Sequence, residues 1–205
     1  MELFDYIKEN YREEGEPILA SELPCKSKGY LRVQLKELVD QGKLWRFMPG
    51  IYYLPYKFRS LNGCIRIDLL EEKKFYRNRD DIYGYETRFS LYNNWQFSTQ
   101  VPYIPQICTN KTSCNRIVNL GKSKYYLYRP RILICKDNVN ELKFLDLMEN
   151  IFTMTEVRGK EMDIRLQIFI DEVKPDFEKV SKLIDLYPVV VYKNLKKVGL
   201  LNVLV

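Results

Sequence analysis

The chain has 205 residues and a net charge of +6, with 46% hydrophobic and 14% aromatic residues, which suffices for one large or two small cores and excludes a disordered chain. It contains no histidine, which excludes Ser-His-Asp and Cys-His nucleophiles and any zinc site built on imidazole. No apolar run approaches the roughly 20 residues of a bilayer span, the start Met-Glu-Leu-Phe-Asp is no signal peptide, and five irregularly placed cysteines (Cys25, Cys64, Cys108, Cys114, Cys135) read as free thiols, so a cytoplasmic protein is expected.

Helical patterns cover residues 2–11 and 17–23, and a third covers 28–41, where Leu31, Leu35, Leu38 and Val39 fall on one side. Gly42 is the expected stop of the third helix. Residues 45–53 then read as two short strands hinged on Pro49-Gly50. Helices followed by a hairpin are the order of a winged helix-turn-helix, so residues 1–58 are expected to be a DNA-binding domain. On the side of the third helix away from its apolar stripe lie Tyr30, Val33, Gln34 and Glu37, with an amide, a phenol, a carboxylate and methyl groups suited to base edges. Lys26, Lys28, Arg32, Lys36, Lys43 and Arg46 are the expected phosphate contacts.

Charge is segregated in the same sense. Residues 1–22 hold seven acids and two bases, net −5, whereas residues 23–60 hold two acids and eight bases, net +6. A face that docks on a polyanion gains affinity from such a division, because each neutralised phosphate releases counterions.

Residues 59–82 read as a partly helical linker, with Ile65, Ile67, Leu69 and Leu70 as its apolar content; the acid pairs Glu71-Glu72 and Asp80-Asp81 are expected on the solvated surface. Residues 83–205 are expected to form a second, α+β domain. Residues 83–95 have helical spacing, and 104–109, 116–120, 124–129 and 131–135 read as short strands between turn signals. From Thr87 to Lys136 there is no acid and there are eight Lys or Arg. Lys122, Lys124, Arg129 and Arg131, interleaved with Tyr125, Tyr126 and Tyr128, are a candidate second basic surface that would combine phosphate contacts with stacking.

The remainder is helical in pattern, over 142–151, 162–173, 177–186 and 189–201, with Asp176 as an N-cap; these helices are expected to cover the small β layer. Asp163 with Glu172-Val173-Lys174 loosely matches the carboxylate, carboxylate and lysine set of metal-dependent nucleases, yet the run reads more simply as a buried helix. Cys108 and Cys114 lack zinc-knuckle spacing, and no Gly-rich phosphate loop is present. No cofactor, metal or catalytic activity is expected.

The module ending in GKLWRFMPGIYYLP, then NNWQFSTQVPYIPQICTN and the strand pair NRIVNLGKSKYYLYRPRIL, resembles the AbiEi-type antitoxins, the regulator halves of bacterial toxin-antitoxin pairs active in phage defence. The resemblance covers nearly the whole chain in organisation and is carried most specifically by Gly50-Ile51-Tyr52 and Thr99-Gln100-Val101-Pro102. It implies a winged N-terminal domain that represses transcription of its own operon by binding double-stranded promoter repeats. It also implies a C-terminal domain that neutralises a nucleotidyltransferase toxin, with no stable complex required. The alternative is a protein- or RNA-interaction module that binds a toxin, or its RNA substrate, through the basic β layer, with the winged domain as scaffold.

Overall fold

The computed structural model describes residues 2–25, 27–56 and 64–204, and the fold is mixed α+β. The chain divides into two compact units, residues 1–73 and 74–205, so the division falls inside the expected linker. Among the described residues no helix is long and apolar enough to cross a membrane.

The first unit begins with α1 (Leu3–Asn10), β1 (Ile18–Leu19) and a single 3-10 turn, Ala20–Glu22. Then come α2 (Lys28–Asp40), β2 (Trp45–Met48) and β3 (Ile51–Tyr53). Residues 17–23, expected to be helical, are therefore a two-residue strand followed by a 3-10 turn. Ile18 and Leu19 pair antiparallel with Tyr52 and Ile51, giving a sheet of order β1-β3-β2. Tertiary pairing with the hairpin overrides a short helical pattern that propensity alone would favour.

Helix α2 buries Leu31, Leu35 and Leu38, against Ile7, Ile18, Leu23 and Leu44. It ends where expected. Gly42 has φ 69°, its N–H donates to the Val39 carbonyl, and the Lys43 N–H donates to the Leu38 carbonyl, both at 2.9 Å. That is a Schellman motif, and the left-handed conformation it needs is free of steric cost only in glycine. In the hairpin, Pro49 and Gly50, the latter at φ 80°, fit a type II turn. The twist of that turn matches the strands less well than primed turns do. Correspondingly, the register between β2 and β3 shifts between Arg46 and Met48.

After the hairpin, α3 (Ile67–Glu71) stays with the first unit through ion pairs Arg66–Glu13 at 3.0 Å and Lys73–Glu16 at 2.9 Å. A wide helical turn, Glu72–Tyr76, leads into the second unit.

That unit opens with β4 (Arg77–Asn78), β5 (Asp81–Ile82) and β6 (Gly84–Glu86), followed by α4 (Arg88–Asn94). Helical spacing over 83–95 thus yields to a strand in its first part, because Gly84, Tyr85 and Glu86 pair with Thr109, Cys108 and Ile107. Strands β7 (Gln106–Thr109), β8 (Arg116–Leu120) and β9 (Ser123–Tyr128) complete a sheet of order β6-β7-β9-β8, in which β7 and β9 run parallel. Residues 131–135, expected as a strand, form none. Pro130 has no N–H to offer a ladder, and the backbone is instead clamped by Asn110, whose amide bonds both the N–H and the carbonyl of Ile134 at 3.0 and 2.7 Å.

The helices α5 (Val139–Asn150), α6 (Lys160–Val173), α7 (Phe177–Leu183) and α8 (Val190–Lys197) follow, with a 3-10 turn at Ile184–Leu186. The centre of the core is α5, where Leu142, Phe144, Leu145, Leu147 and Met148 are all buried, so both its sides are covered. Helix α6 buries only Met162, Leu166, Phe169 and Val173; Ile164 and Ile168, expected inside, stay 60% and 42% exposed. The Asp176 carboxylate caps α7, accepting from the N–H groups of Glu178 and Lys179.

Candidate nucleic-acid interface

The chemistry expected of α2 is divided between its two flanks. With three core leucines fixing one side, a 3.6-residue period puts Lys28, Arg32 and Lys36 one above another on the flank toward the hairpin. With Arg46 of β2 they border a groove of about 820 Å³ whose floor includes Leu31, Leu35, Val39 and Tyr52. All four cations are exposed, and none has an ion-pair partner among the described residues.

The other flank carries Tyr30, Gln34 and Glu37, which border a second groove shared with Phe4 and Tyr6 of α1. Lys43 belongs here too, its ammonium 5.4 Å from the Phe4 ring centre. Val33, 54% exposed, stands between the flanks with Gly29. Tyr30 is 62% exposed. The expected base readers therefore form one stripe, and three of the expected phosphate contacts form another with Arg46. Lys26 lies outside the described residues. A feature missed in the sequence is Trp45, exposed on β2 and set edge-on to Tyr53 at 5.7 Å. Its strand was legible, but which side of a three-residue partner strand it would occupy was not.

The second basic surface is not one surface. Lys122 lies in the turn between β8 and β9 and Lys124 at the start of β9, while Arg129 and Arg131 follow its far end. Five steps along the strand, about 16 Å at ~3.3 Å each, separate Lys124 from Arg129. Tyr125 and Leu127 are buried, and Lys124 alternates with them onto the face of Tyr126 and Tyr128, whose rings lie 4.5 Å apart. Arg131 is committed within the protein, bonding both Glu149 carboxylate oxygens at 2.9 and 3.0 Å and lying 4.7 Å from the Tyr187 ring centre.

Asp163 and Glu172 share α6, with Lys174 in left-handed conformation just past its end. Nine residues of helix put the two carboxylates' backbones about 13.5 Å apart along the axis, far from the adjoining-strand arrangement of a metal-dependent nuclease.

No sequence pattern pointed to the polar cluster around Asp146 of α5. The Asp146 carboxyl accepts from the Thr87 hydroxyl at 2.6 Å and the Tyr85 hydroxyl at 3.1 Å. Burial raises its pKa above the usual carboxylate range, against the lowering effect of those hydroxyls. Burial, and then the nearby Asp146 charge, push the Cys108 thiol up to about 12. Cys108 is buried and the other four cysteines are exposed. A thiolate-specific disulfide reagent at pH 8 is accordingly expected to titrate four thiols in the native protein and the fifth only after denaturation. Five fast-reacting thiols would contradict the packing around Cys108.

Compared with known proteins, the chain matches no family model and no curated sequence.

Proposed function

We propose that the N-terminal unit binds duplex DNA, with α2 in the major groove and the β2–β3 hairpin against the backbone. The observation that carries this reading is the row Lys28, Arg32 and Lys36 beside Arg46, four exposed cations without an ion-pair partner among the described residues, on the side of α2 that adjoins the hairpin. The order of helix, strand, single turn, helix and hairpin, with sheet order β1-β3-β2, supports a winged helix-turn-helix in which the second helix is reduced to one 3-10 turn. In this reading the four cations position the protein on phosphates, and Val33 offers methyl groups to a thymine methyl. Tyr30, Gln34 and Glu37 meet base edges, Gln34 suiting adenine and Glu37 the cytosine amino group.

In keeping with its resemblance to AbiEi-type antitoxins, the protein is a sequence-specific repressor of its own operon, and the C-terminal unit contributes neutralisation of a nucleotidyltransferase toxin. The rival scheme, an RNA- or toxin-binding module working through the basic β layer, requires Lys122, Lys124, Arg129 and Arg131 to act together, and β9 holds them apart.

The deciding experiment is a salt-titrated binding assay against the DNA upstream of the gene, with scrambled DNA of equal length as competitor. A preference of at least about 10³ for the upstream sequence is expected. Equal, weak binding to both would leave only electrostatic attraction and remove the regulator reading.

A further inference from the structure

The cluster around Asp146 opens on a cavity of about 210 Å³ lying wholly within the second unit. At about 30 Å³ per water, it has room for about seven waters or for a small tetrahedral ion. Its residues come from β6, β7, α4, β9 and α5, from the segments flanking β8 and β9, and from Tyr187.

Two positive groups on it are unspent. Arg88 is held with its guanidinium 4.8 Å from the Tyr128 ring centre, and Arg129 is exposed; neither has an ion-pair partner among the described residues. Arg88 holds this place from a backbone φ of 52°, a conformation that costs a non-glycine residue of order 1 kcal/mol or more. Asn115, which accepts from the Arg129 N–H at 2.9 Å, adds an amide to the wall. The third guanidinium, Arg131, is neutralised by Glu149.

Asp146 gives the cavity an acceptor. The bonds from Tyr85 and Thr87 both fall on Oδ2, and the Tyr187 hydroxyl also bears on the carboxyl. A carboxylate offers about four lone-pair sites, so Asp146, which lines the cavity, keeps acceptor capacity on Oδ1. An ionised carboxylate can only accept. It therefore repels a fully deprotonated oxyanion and favours one that still carries a proton.

We propose that this cavity binds inorganic hydrogen phosphate, with Arg88 and Arg129 paired to its oxygens and its remaining O–H donated to Asp146 Oδ1. Sulfate has the same shape and charge at pH 8 but no proton to donate, and it is the ion the site rejects.

Calorimetric titration of the full chain with sodium phosphate and with sodium sulfate, at pH 8 and equal ionic strength, tests this. Saturable phosphate binding at least tenfold tighter than sulfate is expected. Arg129→Ala should weaken phosphate about tenfold, and Asp146→Asn should bring the two anions to near-equal affinity, since the amide can donate to either. Equal affinities in the unaltered protein, or no saturation by 10 mM phosphate, would overturn the proposal. Should Asp146→Asn fail to fold, the phosphate-to-sulfate ratio and the exposed Arg129→Ala variant decide alone.

Discussion

Replacing Lys28, Arg32, Lys36 and Arg46 together by alanine is expected to reduce the slope of log affinity against log salt by about 3.6, at ~0.9 per phosphate contact. Between 50 and 200 mM salt those four contacts correspond to a factor of about 150 in affinity, present in the unaltered protein and absent in the variant. The size of the effect follows from the geometry on α2 and β2. All four side chains are exposed and without an ion-pair partner among the described residues, so their charge is available to a phosphate. Fluorescence anisotropy at four salt concentrations reads the slope directly. Lys8→Ala is the control, because that ammonium lies on α1, ion-paired with Asp5 at 2.9 Å, and its removal should leave the slope alone. An unchanged slope in the fourfold variant would take the phosphate contacts away from this flank of α2.

In the second unit, Phe169→Ala is expected to lower stability by about 3–5 kcal/mol. Its ring is fully buried on α6, 4.7 Å from the Trp95 ring centre and 6.4 Å from that of Phe97. Truncation removes edge-to-face contacts with both and leaves a void that the close-packed surroundings fill only in part. Against a usual domain stability of about 5–15 kcal/mol, this is enough to unfold much of the protein at modest denaturant. Urea titration followed by tryptophan fluorescence measures it. Ile164→Ala, on the exposed side of the same helix, is expected to change stability by no more than about 0.5 kcal/mol, and comparable losses in the two variants would invert the assigned faces.

Those two faces also show where sequence reading succeeds and where it stops. Periodicity locates α2, α5 and α6 to within a few residues because each is long enough to repeat its apolar spacing several times. It misjudges α6 as buried throughout, since Ile164 and Ile168 are as apolar as Leu166, and spacing alone does not record how many neighbours a helix has. Short strands fare worse. Ile18–Leu19 and Gly84–Glu86 exist because distant partners, Ile51–Tyr52 and Ile107–Thr109, are there to receive their hydrogen bonds. Residues 131–135 have a strand-like composition but meet the side chain of Asn110 in place of a strand. On the candidate interface, the cations of α2 were legible as a group, and their separation from Tyr30, Gln34 and Glu37 required the position of the leucine face. The Asp146 cavity was beyond reach, because it gathers residues from Tyr85 to Tyr187 that no local pattern links.

The order of strands in the larger sheet bears on how the protein is made. Strand β9 is the last to be synthesised and yet sits between β7 and β8. Its hairpin with β8 closes over a tight turn at Gly121-Lys122, a local step costing little chain entropy. Its parallel union with β7 joins segments some twenty residues apart. The hairpin is therefore the unit that docks, and it does so only once Tyr128 has cleared the ribosome. Until then the inner edge of Gln106–Thr109 has no mate, and a ribosome paused after that strand has emerged, with the hairpin still inside the exit tunnel, would hold open an edge on which a neighbouring nascent chain could pair.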